Sequence, residues 1–359
     1  MHRGGVGQSE RANARDDGRL TTVNRDRLGD ALQRQGAEMF PGLIEYNFQH
    51  KLVGLDFEAK EASFEQTGGQ GVVKRPYELL VGADGVWSGV RGEMERVGFV
   101  TVRQKRNTGG LKVMEVADLP GSEEGWERCW HLWLRHSPRI AIMGSPTPEG
   151  RYRLAMGTWY DDWCGDLDQF KTEAGVEAII REKFPDVFEG REMPDGLARG
   201  LVEEEVSHNG VETDCSAFHA GDAVVLVGDA AHSVWPNAGQ GCNSALESCR
   251  ILAGLIAEHG GQLAKALPAF TAMRKPDTDA AAAMSRRAWL TPQHMLRVTL
   301  LNGLHRALPF VFGMPAEELL RLGEGSYAKI EARHRWQNRQ ILMMVAGALG
   351  LAAFALVRR

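Results

Sequence analysis

Two short apolar runs, each ending in a glycine and a carboxylate, organise the pattern of this chain. Val224, Val225, Leu226 and Val227 lead into Gly228-Asp229, and Leu79, Leu80 and Val81 lead into Gly82-Ala83-Asp84-Gly85. The first run reads as a buried strand and the second as an apolar strand. Between them, residues 111–116, 130–134, 139–143 and 153–159 alternate or are rich in β-formers. That pattern predicts an antiparallel sheet inserted between the two apolar runs. Residues 52–65 and 71–74 predict further strands, with a hairpin loop at Gly68-Gly69-Gln70-Gly71. Residues 25–35 predict a helix, and residues 174–184 a second one closed by Pro185. Beyond Asn243 the chain reads as helix almost throughout: residues 244–258, 262–288, and segments around 297–308 and 317–340.

Residues 341–357 differ from the other helical segments because they carry no charge on any face. Arg333, Arg335 and Arg339 precede them and Arg358 and Arg359 follow. Such a run is at the short end for crossing about 30 Å of hydrocarbon, and its glycines and alanines are ordinary in membrane helices. The expectation is a transmembrane anchor at residues 341–357, with a packed terminal helix as the other reading. The first ~20 residues are polar and hold no apolar core for a signal peptide.

Composition narrows the functional classes. At 359 residues the chain is long enough for more than one domain. A net charge of −5 without a basic, aromatic-laced patch excludes nucleic acid as the expected partner. Cys129, Cys164, Cys215, Cys242 and Cys249 show neither Cys-x-x-Cys nor a histidine spacing suited to zinc. They read as reduced, mostly buried thiols, with Cys242 and Cys249 on one helical face. No metal site and no Ser-His-Asp set is visible.

The chemistry gathers after the second apolar strand. Gly228-Asp229 is followed by Pro236, then Gly239-Gln240-Gly241-Cys242-Asn243 at a helix start. Glycines allow close backbone approach, and a helix N-terminus presents free N–H groups to electron-rich atoms. A strand, a carboxylate and a glycine-rich helix start together suit a nucleotide-like ligand. The order and spacing resemble the second FAD signature of the class A flavoprotein monooxygenases. The resemblance implies that Asp229 holds a ribityl hydroxyl of FAD. It also implies that Gly239, Gly241 and Asn243, with Pro236 in the same turn, line the isoalloxazine. Residues 77–91 resemble the Asp-Gly motif of the same family, which implies Asp84 and Gly85 near the pyrophosphate side. Read alone, Asp-Gly after a strand is also a common turn. Residues 22–28 resemble the family's Arg-x-x-Leu segment, whose arginine, here Arg25, reaches FAD; read alone, Arg25 is a surface arginine at a helix start.

Family members begin with a strand and Gly-x-Gly-x-x-Gly that cradles the pyrophosphate. Here Gly4-Gly5-Val6-Gly7 and the glycines at 68–71 follow no apolar strand, so that element is expected to be missing. The implied fold is α/β with an α+β insert: an FAD-binding, Rossmann-like parallel sheet without its first strand, an antiparallel substrate-domain sheet, and C-terminal helices. The expected divisions are a partial FAD-binding domain at 1–90, the substrate sheet at 91–215, a second FAD segment at 216–260, a helical region at 261–340 and the anchor at 341–357.

Within the class, further segments resemble the kynurenine 3-monooxygenases. They are Lys183-Phe184-Pro185-Asp186, Cys215-Ser216-Ala217-Phe218-His219, Arg274-Lys275-Pro276-Asp277, residues 304–309, and the spacing of Tyr327, Arg333, Trp336 and Gln337. The resemblance implies that Tyr327 and Arg3 bind a substrate carboxylate; for Tyr327, plain helix packing is the other reading. Arg19, Leu290, Asn237 and Ala238 stand where that family keeps other residues, which leaves the aromatic substrate open. The implied activity is an FAD-dependent, NADPH-consuming hydroxylation of a small aromatic by O2 through a C4a-hydroperoxyflavin. The implied location is the mitochondrial outer membrane, facing the cytosol. No catalytic base is assigned, and His232 reads as a backbone-bonded turn residue. The alternative is a truncated, non-catalytic, membrane-anchored remnant of such an enzyme.

Overall fold

The computed structural model describes residues 25–69, 71–107, 109–116, 131–136, 139–147, 152–158, 171–187, 193, 196–208, 210–287 and 291–357. In chain order its first elements are α1 (Arg25–Met39), β1 (His50–Asp56), β2 (Glu61–Gln66), β3 (Val72–Pro76), β4 (Leu80–Gly82), α2 (Gly89–Arg96) and β5 (Val102–Arg106). Then come β6 (Gly110–Val116), β7 (His131–His136), β8 (Arg139–Pro146), β9 (Tyr152–Gly157), α3 (Glu173–Lys183), α4 (Leu197–Glu203) and β10 (Ser207–His208). The last part holds β11 (Val211–Cys215), β12 (His219–Ala220), β13 (Val224–Leu226), α5 (Asp229–His232), α6 (Gly241–Glu258), α7 (Leu263–Ser285), α8 (Pro292–Ala307), α9 (Ala316–Leu322) and α10 (Tyr327–Val357). The chain divides into two compact units, one of residues 1–50 with 106–209 and one of residues 51–105 with 210–359.

The first unit is built on the expected inserted sheet. Its five strands run in the order β10-β6-β9-β8-β7, with every neighbouring pair antiparallel. Trp133, Ile140, Ile142, Leu154 and Met156 from the strands pack with Val176 and Ile180 of α3, Phe184 just after it and Leu201 of α4. Thr172 caps α3 by accepting from the Gly175 N–H, and Phe184 caps its other end just before Pro185, where the helix stops as the proline requires. Arg25 opens α1 and only its backbone is described; its side chain lies outside the described residues, as does Arg3.

The second unit carries the two apolar runs. β13 pairs parallel with β4, Val224 opposite Leu80, Val225 opposite Val81 and Leu226 opposite Gly82. β12 closes the other side of β13 in antiparallel fashion. The β13 side chains are at most 1% exposed, and full burial of each valine or leucine contributes about 1.5–3 kcal/mol. Gly82 is required by packing: a Cβ there would fall 2.7 Å from Leu226 Cδ2 and 2.9 Å from Val90 of α2. β2 and β3 form the expected hairpin across residues 67–71.

Three expectations change. The helical segment predicted around 317–340 is two helices, because Gly323 (φ +68°) and Gly325 (φ +92°) adopt left-handed backbone and break it. Cys215 is buried as expected, but Cys242 and Cys249 are exposed because α6 turns that face outward. Residues 341–357 continue α10, and Leu342, Met343, Val345, Leu349 and Phe354 are each more than half exposed. Among the described residues no helix is long and apolar enough to cross a membrane.

Gly82→Ala should destabilise the protein by about 1–3 kcal/mol through overpacking at the β4–β13–α2 contact. Gly92→Ala, in α2 with open space around its Cβ position, should be neutral or slightly stabilising. Urea denaturation of both variants against the parent checks this, and equal effects would show that Gly82 is not a packing constraint.

Candidate functional site

Because β4 and β13 are parallel, the loops that follow them leave the sheet at the same end, where open α/β sheets bind their ligands. The Val227 N–H donates to Gly82 O at 2.9 Å and extends the ladder one step toward that end. Both oxygens of Asp84 are engaged within its own loop. Oδ1 accepts from Ser88 Oγ at 2.6 Å, and Oδ2 accepts from the N–H groups of Gly89 and Val90 at 2.7 and 3.1 Å. Ser88 in turn caps α2 by accepting from the Arg91 N–H at 2.9 Å. Asp84 therefore shapes the loop and neutralises a helix start. Buried Arg91 ties this loop to the other one, donating to Val86 O at 2.6 Å and to Ala230 O at 2.8 Å.

The second loop turns on Gly228. Its φ of +59° is costly for any side chain, and a Cβ there would sit 3.2 Å from the Cβ of Ala245 in α6. This turn delivers Asp229, exposed, as the first residue of α5. A 3-10 turn at Pro236–Ala238 follows and ends at Gly239 with φ +64°. α6 then starts at Gly241 without a side-chain cap from Gln240, so an 18-residue helix presents its first N–H groups at the glycine turn.

Gln240 holds the turn in place. Its Nε2 donates to Ala238 O at 3.2 Å, and its Oε1 accepts from Asn243 Nδ2 at 3.3 Å and from Tyr327 Oη at 3.1 Å. Tyr327 is 8% exposed, and burial pushes its hydroxyl pKa up to about 12. Arg274, 1% exposed, fastens the helices behind the turn. It donates to Ser248 Oγ at 3.1 Å, Glu247 at 2.9 Å, Asp277 at 2.8 Å and both oxygens of Ser244 at 3.2 Å. Asp277 Oδ1 also accepts from the Ala328 N–H at 2.8 Å, so the network joins α6, α7 and the start of α10.

His232 touches the same network through its side chain, besides the backbone hydrogen bond expected at the turn. Its Nε2 lies 2.9 Å from Ser248 Oγ. Ser248 gives its only proton to Ser244 O and receives one from Arg274, so Nε2 must be the protonated nitrogen. Burial, then the Arg274 charge, pushes the His232 pKa down to about 4. A histidine so placed stays neutral and structural at pH 7.

Asp84, Gly85, Asp229, Pro236, Gly239, Gly241, Asn243 and Tyr327 all fall in the second unit, on the loops after β4 and β13 and at the ends of α6 and α10. Motif reading did not single out Arg91, Gly228, Gln240 or the Arg274–Asp277 pair as site residues. The Arg-Lys-Pro-Asp run and the Ser244/Ser248 spacing were the available signals. The cradle fits the FAD that the resemblance implies: two left-handed glycines, an exposed carboxylate and uncapped helix N–H groups. Asp84, saturated by its own loop, fits as a shaping residue. Among the described residues no group of His, Cys, Asp or Glu could hold a metal ion.

Residues 19–281 match the family described as FAD binding domain. The chain is 31% identical over 270 residues to a kynurenine 3-monooxygenase of Legionella pneumophila (strain Corby), covering 74% of this chain and 57% of that protein. It is 33% identical over 270 residues to a kynurenine 3-monooxygenase of Salinispora arenicola (strain CNS-205), again covering 74% and 57%. The chain thus spans little more than half the length of these relatives. Among solved structures, the tetrameric form of 2-methyl-3-hydroxypyridine-5-carboxylic acid oxygenase superposes with a TM-score of 0.57 at 21% identity, covering 82% of this chain and 70% of that one. This last likeness is one of fold.

The His232 environment gives a pH signature. The unfolded chain takes up this proton near pH 6.5 and the folded one near pH 4, so stability contributed here is full above about pH 6.5 and falls as pH drops toward 4. His232→Asn should lower stability at pH 7 and shrink its deficit as pH falls through that window. Denaturation series at pH 7, 6, 5 and 4.5 check this; a deficit independent of pH would contradict the buried neutral imidazole.

Proposed function

This chain belongs to the FAD-binding monooxygenase family, and on that premise we propose that it serves FAD-dependent, NAD(P)H-consuming hydroxylation of a small aromatic acid, of the kynurenine 3-monooxygenase kind. The observation that carries the reading is the parallel pairing of β4 with β13, which brings the two glycine–carboxylate loops to one end of the sheet beside the glycine start of α6. Bound FAD supplies the redox and oxygen chemistry, with NADPH as the expected reductant. The protein's part is to bind and orient. Asp229 accepts hydrogen bonds from polyol hydroxyls, Gly228 and Gly239 let the backbone approach, and the first amides of α6 offer partial positive charge to an electron-rich ring edge. Tyr327, protonated at any physiological pH, is a hydrogen-bond donor suited to a substrate carboxylate.

Membrane attachment is the second part of the proposal. The exposed apolar positions of α10 after Gln340 and the flanking arginines support a lipid contact. The mitochondrial outer membrane, on its cytosolic side, is the site implied by kinship. Deleting residues 341–359 should move tagged protein from the membrane to the soluble fraction. Full-length protein that stays soluble at low salt and in carbonate would make residues 341–357 an ordinary terminal helix.

Asp229→Ala should weaken FAD binding by about 1–3 kcal/mol, or roughly 5- to 150-fold in Kd, by removing a charge-assisted acceptor. Flavin fluorescence titration measures this, and unchanged affinity would count against the cradle. NADPH oxidation with kynurenine and other aromatic acids then tests the activity. Failure to hold FAD, together with no substrate-stimulated oxidation, would favour the non-catalytic alternative.

A further inference from the structure

The turn that follows α8 presents apolar side chains to solvent. Phe310 is fully exposed, and Leu308 and Val311 are more than half exposed. The turn is nevertheless held in shape. The N–H groups of Val311 and Phe312 donate to Leu308 O at 3.1 and 2.9 Å, and His305 Nδ1 lies 2.8 Å from Phe312 O. Phe312 is buried and anchors the turn, while its neighbours stay outside the core. A fixed turn that keeps three apolar side chains in water carries a standing cost, and contiguous exposed apolar surface marks a partner.

Side-chain hydrogen bonds fix where this turn stands along α10. Gln337 Nε2 donates to Gly313 O at 3.2 Å and to Met314 O at 3.1 Å, and Gln340 Nε2 donates to Val311 O at 3.3 Å. From residue 314 back to residue 311 the segment thus moves one turn along α10, toward its uncharged part. Gln340 is the last polar residue before that run. Met343 and Met344 stand one turn further along the face that carries Gln340. Leu342, Met343 and Val345 are more than half exposed, and Met344 is exposed as well. The turn and the start of the uncharged run therefore stand side by side as one apolar surface. Its border is aromatic and cationic. Trp336, one turn before Gln340, is exposed and carries the Arg333 guanidinium 5.2 Å from its ring centre. Arg306, in the last turn of α8, and Arg339 are exposed. Tryptophan and arginine around an apolar patch suit the headgroup level of a bilayer, the ring at the interface and the cations on lipid phosphates.

We propose that residues 308–311 enter a lipid membrane beside the start of the uncharged run of α10, so that the protein meets the bilayer through two segments. The inference deepens the membrane part of the proposed function and rests on it for the choice of lipid as the partner. A contact of this kind lies in the interface and needs no helix that crosses it. The test is flotation of the full chain with vesicles of phosphatidylcholine and phosphatidylserine. Phe310→Ser/Val311→Ser should weaken vesicle binding about tenfold or more, because two apolar side chains lose their place in lipid. Phe310→Ala alone should act in the same direction, and it carries the comparison if the double variant fails to fold. Val72→Ser, at an exposed apolar position of β3, should float as the parent does. Leu342→Ser/Leu349→Ser tests the α10 anchor separately. If that variant floats like the parent while the turn variants do not, the turn is upheld and the anchor reading alone fails. Turn variants that float like the parent would overturn the inference, whatever the anchor variant does, and so would a parent chain that does not float. If such floating turn variants also dissociate a self-associated chain on size-exclusion chromatography, the turn is an interface between copies instead.

Discussion

Three residue pairs, Val224–Leu80, Val225–Val81 and Leu226–Gly82, hold together segments 144 residues apart in sequence, and the rest of the candidate site follows from that contact. A parallel ladder this short gains little from its hydrogen bonds, each worth about 1 kcal/mol net. Its strength is hydrophobic: the β13 side chains sit in a core with Val90 and Met94 of α2 and Leu252 and Leu255 of α6. The same constraint fixes direction as well as position. Only a parallel register releases the Asp84 loop and the Asp229 loop at one end, where Arg91 then locks them to each other through two backbone carbonyls.

Behind the loops, the turn depends on a buried charge. Arg274 lies within hydrogen-bond distance of Glu247 and Asp277 while almost wholly removed from water. Breaking a buried pair of this kind typically costs about 3–5 kcal/mol, because the remaining charge is left uncompensated. The gain is more in specificity than in net stability. Arg274 ties α6 to α7, and its partner Asp277 ties α7 to the first turn of α10, so the pair sets where the glycine turn stands relative to Tyr327.

The sequence made the strands, the inserted antiparallel sheet and the glycine turn legible, because each rests on a local signal: an apolar run, an alternation, or glycine beside a carboxylate. The split between α9 and α10 was harder to read, since the charged residues around Gly323 and Gly325 keep a helical pattern and only the left-handed backbone reveals the break. Exposure of Cys242 and Cys249 depended on which face α6 turns to the core, a tertiary choice. The partner of His232 was equally out of reach. Ser248 is 16 residues away, brought near only by the helix packing that Arg274 organises.

Tyr327 shows how these levels meet. A phenol has one proton to donate, and here it goes to Gln240 Oε1. With its pKa raised to about 12, the hydroxyl keeps that proton and acts as a donor. It can serve Gln240 or an incoming carboxylate, but not both with the same proton. If a carboxylate takes it, Gln240 Oε1 keeps only the longer bond from Asn243, and the turn loses its tie to α10. Engagement of an acid at Tyr327 is therefore linked to the freedom of the Gly239–Gly241 backbone, through a hydrogen bond whose acceptor belongs to the turn itself. The side chain that resemblance assigns to substrate is, in the folded chain, also the one that holds the cradle still.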